Sequence, residues 1–326
     1  MRAVYYDHQG PADEVLHLGV LPDPEPGPGE VRVRLHYSGV SPGDTKKRAG
    51  YFGSAMPYPR VIPHSDGAGV IDQVGAGVSP TRIGQRVWVY NAQSYRPFGT
   101  AAEYTVVPDT TAVGLPDEVD DIVGACLGIP GITAHRAVFA DGPVGGQTVL
   151  VHGALGAVGS LAAQLADWGG AMVISTVRRH SDLAHLTGPA AERVVALDDP
   201  DPIGAIRRHT PAGVDRVIEV AFSDNIALDA AVAANGAVIA AYATRDPRPC
   251  FDFWPMLFDN ITIRLLGSDD FPVEAKRSAA IDLTTAAREG HLVIPTASPF
   301  ALADVARAHD QVDTDNRRRV LVALDR

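Results

Sequence analysis

The chain has 326 residues, 46% of them hydrophobic and 21% charged, with a formal net charge of −11. That length exceeds what one hydrophobic core usually serves, so two domains are expected; the acidic balance makes both nucleic acid and membrane surfaces unexpected partners. No run is apolar enough to cross a bilayer, the start "MRAVYYDHQG" lacks a signal-peptide plan, and two cysteines, Cys126 and Cys250, are too few for a disulfide framework or a four-thiolate zinc site, so a cytoplasmic protein is expected.

From Met1 to about Pro116 the chain reads as short strands broken by turns. "EVRVRLHYSGV" alternates side chains as a half-buried strand does, and "GAGVIDQVGAGV" and "GQRVWVYNA" follow, with Pro and Gly between them. Beyond Pro116 the period changes. "DEVDDIVGACLGIPGITAHRAVFAD" has helical spacing, and "GQTVLVHGALGAVGSLAAQLADWGGAMVISTV" reads as strand, glycine loop, helix and strand. "VDRVIEVAF" and "NGAVIAAYAT" add strands around the helix-like "NIALDAAVAA", and "NITIRLLGSDD" extends the sheet at its edge. Strands alternating with helices indicate an α/β fold with a doubly wound parallel sheet. The tail predicts helices at "AKRSAAIDLTTAAREG" and "ALADVARAHDQV" and a last strand "RRVLVALD".

The most informative segment is "VLVHGALGAVG", residues 149–159. Ala154, Gly156 and Gly159 stand at the spacing of Gly-x-Gly-x-x-Gly. That pattern needs a tight turn, then close approach of a pyrophosphate to the backbone, then close helix-to-strand packing. Its setting between a strand and a helix supports a dinucleotide loop over a turn that binds nothing. At the end of the second strand an NAD-selective site would place a carboxylate. "AMVISTVRRHSD" instead offers Ser175, Thr176, Arg178 and Arg179, with no acid before Asp182. Arginines suit a 2'-phosphate through bidentate bonds, which favours NADPH over NADH; the alternative is two solvated surface arginines.

The order of these pieces resembles medium-chain dehydrogenases/reductases, and within them the zinc-free NADPH:quinone oxidoreductase, or zeta-crystallin, branch. The resemblance covers nearly the whole chain and rests on "GVSPGDTKKRAGYF", "IPHSDGAGVIDQVGAGV", "GTAAEYTVV", "LGIPGITAHRAV", "GQTVLVHGALGAVG", "VDRVIEVAFSDNIALD" and "NGAVIAA". It implies a GroES-like β-rich catalytic domain over 1–121, a Rossmann NADPH-binding domain over 122–267, a return to the catalytic domain over 268–326, an active site in the cleft between them, and a homodimer. It further implies that Gly153, Ala154, Gly156, Ala157, Val158 and Gly159 hold the pyrophosphate, that Thr133 lies near the nicotinamide, and that Thr176, Arg178 and Arg179 face the adenosine phosphate. Tyr242, Ala243 and Thr244, then Gly267 and Ser268, would run past the nicotinamide, and Arg319 stands where relatives carry a lysine before the last strand. The chain departs from relatives at Ser41 (often Asn), Lys46 (often Tyr) and Tyr242 (usually Gly).

"VIPHSDGAGV", residues 61–70, raises the question of metal. Zinc-using members of the superfamily hold their ion through a cysteine in the first loop, a histidine in a Gly-His-Glu phrase and a later cysteine or acid. A catalytic zinc needs about three protein ligands and an open position. Here Ser41 stands at the cysteine position, so no metal is expected; His64 and Asp66 read as parts of a turn, with a proton relay as the alternative. The expected activity is NADPH-dependent hydride transfer to a quinone or other conjugated carbonyl, with Ser41, Lys46 and Tyr51 as candidate donors to the oxygen that gains charge. An aromatic set, Tyr51, Phe52, Tyr90, Tyr95, Tyr242, Phe253 and Trp254, is available to line a ring site. The alternatives are a polyketide-type enoyl-thioester reductase and a weakly catalytic NADPH-binding or structural protein.

Overall fold

The structure, a computed structural model, describes residues 1–53, 55–314 and 317–324. The chain divides into two compact units, unit 1 from Met1–Pro130 and Ile294–Arg326, and unit 2 from Gly131–Val293. Among the described residues no helix is long and apolar enough to cross a membrane.

Unit 1 opens with β1 (Arg2–Tyr5) and β2 (His17–Val20), an antiparallel pair. It continues with β3 (Glu30–Val40), β4 (Asp66–Val74), β5 (Arg86–Val89), β6 (Tyr104–Pro108) and β7 (Ala112–Gly114). Unit 2 contains β8 (Thr148–Val151), β9 (Met172–Val177), β10 (Val194–Ala196), β11 (Val214–Glu219), β12 (Ala233–Ala241) and β13 (Thr262–Leu265). The chain then returns to unit 1 as β14 (Phe300–Ala301) and β15 (Val320–Ala323).

The sheet of unit 1 has the order β14-β15-β3-β4-β5-β7, with β6 also paired to β3. β3 carries the expected alternation: Val31, Val33 and Leu35 are buried, and they join Ile71, Val87, Val107 and Val322 in one core. The returning helix Val305–Thr314 covers that core with Val305, Ala308 and Val312, the spacing of one helix face.

In unit 2 all six strands are parallel in the order β10-β9-β8-β11-β12-β13. "TVLV" and "MVISTV" are apolar because helices cover both faces of such a sheet. The strand order reverses direction at β8, the switch point at which open α/β sheets bind ligands beyond their carboxyl ends.

The unit boundaries fall at 130/131 and 293/294 rather than at the expected 121/122 and 267/268. The later return has a physical cause in the helix Val273–Arg288, which belongs to unit 2. Its Leu283 lies against Gly131, and Asp282 Oδ2 is 2.7 Å from His135 Nε2.

Candidate active site

The loop after β8 has the backbone that a dinucleotide needs. Gly153 takes φ +64°, the left-handed region, and it, rather than Ala154, makes the turn, which is why alanine is tolerated at the first position of the pattern. Gly156 caps the helix Ala157–Trp168, so the N–H groups of Ala157, Val158 and Gly159 form its first turn. A Cβ on Gly159 would sit 2.3 Å from Gly153 O and 3.0 Å from His152 O, so the helix packs against the strand end more closely than any side chain permits.

The other residues expected at the cofactor follow the carboxyl ends of neighbouring strands. Arg178 and Arg179 are exposed immediately beyond β9. Thr176 differs from the expectation: its side chain is fully buried, and its hydroxyl is 2.8 Å from His152 Nδ1, so it faces the interior and not a phosphate. Tyr242, Ala243 and Thr244 leave β12 half-buried; Tyr242 N–H donates to Glu219 O at 3.0 Å, Ala243 O accepts from Phe222 N–H at 3.1 Å, and the Thr244 hydroxyl donates to Asp246 O at 2.9 Å. Gly267 is exposed after β13 and precedes the single turn Ser268–Asp270. Thr133 is buried in the helix Ile129–Phe139.

Unit 1 places the catalytic candidates around the helix Pro42–Ala49. Ser41 caps it, and its backbone N–H donates to Asp44 Oδ2 at 2.8 Å. The Ser41 hydroxyl donates to Asp66 Oδ2 at 3.3 Å and accepts from Arg319 Nη1 at 3.2 Å. Arg319 is 3% exposed; it also donates to Val40 O at 2.7 Å and pairs with Asp66 Oδ2 at 3.1 Å. Both residues are therefore committed inside unit 1, Ser41 to an ion pair rather than to an acceptor, and Arg319 to Asp66 rather than to a cofactor. Burial, with the charge of Asp66 behind it, pushes Asp44 up to about 7. Asp66 is pushed up to about 6 by burial, with Arg319 pulling the other way.

Lys46 and Tyr51 remain near the surface. The Lys46 ammonium lies 5.1 Å from the centre of the Tyr51 ring, and Tyr51 and Phe52 meet edge to face at 5.4 Å, both exposed. Arg48, the third residue of the basic run, is buried and donates to Gly10 O at 2.7 Å and Asp313 Oδ2 at 3.2 Å. Of the remaining aromatic set, Tyr90 is core, while Tyr95, Phe253 and Trp254 are exposed.

Comparison with known proteins bears on this architecture. The alcohol dehydrogenase GroES-like domain family matches residues 27–117. The quinone oxidoreductase of Homo sapiens is 31% identical over 321 residues, spanning 96% of this chain and 94% of its own. The chain belongs to the quinone oxidoreductase branch of the medium-chain dehydrogenase/reductase superfamily. Among solved structures, a mycobacterial protein complexed with NADPH superposes with a TM-score of 0.84 at 25% identity, covering 99% of each chain. An NAD-dependent alcohol dehydrogenase superposes with a TM-score of 0.87 at 26% identity, covering 99% of this chain and 100% of its own.

In this quinone oxidoreductase-branch chain His64 and Asp66 serve different partners. Asp66 faces Arg319, and its Oδ1 accepts from Ile129 N–H at 2.7 Å. His64 is fully buried, with φ +75°. Its Nε2 is 2.9 Å from His309 Nε2, and its Nδ1 is 2.8 Å from Ser38 Oγ. Ser38 continues to Thr100 Oγ1 at 2.7 Å, and Thr100 donates to Asp66 O at 2.6 Å. That last bond sets the direction: Ser38 donates to Thr100, His64 Nδ1–H donates to Ser38, and His64 Nε2 accepts from His309 Nε2–H. All these bonds are made with both rings neutral. Sequence could suggest Asp44, because Ser-x-x-Asp opening a helix is a capping pattern. Nothing local in the chain points to His309.

Burial lowers both imidazoles, His309 to about 3, helped by the charge of Arg48. Below the ordinary histidine range near 6.5 the unfolded chain therefore binds protons that the folded chain refuses, so this pair destabilises the protein as pH falls. Asp44 and Asp66 act in the opposite sense, since the folded state holds their protons more tightly and their contribution is lost as pH rises through about 6 to 7. His309→Gln keeps a donor toward His64 and removes one titrating ring. The variant should gain stability relative to wild type as pH falls from about 6.5 to 4, approaching ~1.4 kcal/mol per pH unit. Urea unfolding across that range measures it, and a difference that stays constant with pH would refute the assignment.

Proposed function

We propose that the protein is an NADPH-dependent reductase that transfers hydride to a quinone or another conjugated carbonyl without zinc. The observation that carries this reading is the glycine loop at the switch point of unit 2, with two exposed arginines and no acid at the end of β9. The Ala154 N–H is spent on Thr176 O and the Gly156 N–H on Gly153 O, so it is the helix start, with the N–H groups of Ala157, Val158 and Gly159, that suits a pyrophosphate, and Arg178 and Arg179 suit a 2'-phosphate. When bound, NADPH supplies the hydride. The case against zinc rests on the donor set: Ser41 offers a neutral hydroxyl already bonded to Asp66 and Arg319, and Asp66 is itself paired.

For the chain's own chemistry, Tyr51 and Phe52 offer exposed ring surface suited to a planar acceptor. Lys46 and the Tyr51 hydroxyl are the donors available to an oxygen that gains negative charge, and either group can return a proton to it. The test is the loss of reduced-nicotinamide absorbance with a panel of quinones, small enones and crotonyl-CoA. Faster NADPH oxidation with quinones or enones is expected. Acceleration by crotonyl-CoA alone would move the reading to an enoyl-thioester reductase, and tight NADPH binding with no acceptor effect would leave a binding protein.

Cofactor choice gives a separate prediction. Charge-assisted bonds are worth roughly 1.5–3 kcal/mol each, so Arg178→Ala with Arg179→Ala should weaken NADPH by about 100-fold and leave NADH nearly unchanged. Equal losses for the two cofactors, measured by titration of their fluorescence, would remove the 2'-phosphate assignment.

A further inference from the structure

Beneath the glycine loop lies a buried polar cluster to which the proposed hydride transfer assigns no part. His152, the residue before Gly153, has no exposed surface. Its Nε2 is 2.8 Å from Asp229 Oδ1 and 3.6 Å from Glu219 Oε2, and its Nδ1 is 2.8 Å from Thr176 Oγ1. Asp229 comes from the helix Phe222–Val232 and Glu219 from the end of β11. Glu219 is held in turn by the Ala221 N–H and by Asn225 Nδ2 at 3.0 Å. Burial opposes an imidazolium here, but the two carboxylates outweigh it and raise His152. Groups of this kind are expensive to bury and need complete pairing.

Thr176 is the point at which this cluster meets the cofactor determinants. Its carbonyl accepts from Ala154 N–H, in the loop, at 3.1 Å, and its hydroxyl meets His152 at the foot of the same loop. Two residues further on stand Arg178 and Arg179. One residue thus ties the segment that suits the pyrophosphate to the segment that suits the 2'-phosphate, by backbone on one side and by side chain on the other.

We propose that His152 and Thr176 form a clamp that sets the position of Arg178 and Arg179 relative to the glycine loop, which makes both positioning residues for recognition of the 2'-phosphate. This rests on the reading that the loop holds NADPH. Asp229 and Glu219 orient the imidazole, and Thr176 carries its position to the strand end. Because the clamp fixes the strand-end arginines against the loop, its loss falls more heavily on the cofactor that bears the extra phosphate than on the one that lacks it.

The test compares affinities for NADPH and NADH, by fluorescence titration, together with melting temperatures. Thr176→Val has the same shape and keeps the backbone bond to Ala154 while removing the hydroxyl. It should weaken NADPH about five- to tenfold, the value of one hydrogen bond of roughly 1 to 1.4 kcal/mol, and leave NADH within about twofold. Thr176→Ser should match wild type. His152→Asn, whose amide can replace Nδ1, should keep more of the NADPH preference than His152→Leu. A melting temperature lowered with both cofactors weakened equally would make the pair structural only and overturn the clamp, as would an unchanged preference in Thr176→Val and His152→Leu. Failure of the wild-type protein to bind NADPH would overturn the functional reading instead, and thereby its clamp.

Discussion

Replacing Arg319 by methionine should destabilise the protein by about 3–5 kcal/mol, because it leaves a buried carboxylate without its cation. The guanidinium contacts Asp66, Ser41 and Val40 at once, and Asp44 lies in the same buried group. Methionine fills part of the volume, so the loss is electrostatic more than steric. A second change tests this: Asp66→Asn in the Arg319→Met background should recover a large part of the loss, since a neutral amide can still accept from Ile129 N–H. Arg319→Lys should be milder than methionine, because it keeps the charge and loses the fork that reaches three acceptors. Urea midpoints of the four proteins decide the matter. If the double variant is less stable than Arg319→Met alone, the ion pair is not what Arg319 contributes.

Gly159→Ala should be the most damaging single change to cofactor binding. The new methyl would meet the backbone oxygens of Gly153 and His152 at 2.3 and 3.0 Å, and neither can swing aside as a side chain would. The helix Ala157–Trp168 must therefore move away from β8, which displaces its first turn from the loop. A loss of about 1–3 kcal/mol in stability is expected from such overpacking, with NADPH affinity reduced by at least about tenfold as the helix start moves. Gly156→Ala is the contrast. Its φ of −78° suits alanine and its nearest contact, Gly153 O, is at 3.2 Å, so the fold should tolerate it while the approach of the pyrophosphate is blocked. Melting temperature and NADPH titration on both variants separate the two effects. A Gly159→Ala protein with wild-type affinity would show that the loop does not bind the dinucleotide.

The elements legible in the sequence are those whose causes are local. The alternation in Glu30–Val40, the apolar parallel strands and the glycine spacing all follow from neighbours within a few residues of one another. Thr176 stands at a strand end where a cofactor contact is expected, but both faces of the sheet are covered there and Ser175 and Thr176 are each fully buried, which no local pattern in the chain reveals. The polar groups were illegible for another reason. Asp66 and Arg319 are 253 positions apart, His64 and His309 are 245 apart, and His152 and Asp229 are 77 apart. No window on the chain contains both members of any of these pairs, so Ser41 reads as a free donor and Arg319 as a cofactor ligand until the fold brings their partners in.

The return of the chain has a consequence for how the protein is made. Unit 2 is one uninterrupted run, so it can close its sheet as soon as it leaves the ribosome. Unit 1 cannot. While unit 2 is being synthesised, β3 has no β15 beside it, His64 has no His309, and Asp66 has no Arg319. The part of unit 1 that precedes unit 2 is therefore completed only after unit 2 has been translated, and the ion pair of Asp66 can form only once Arg319 has emerged.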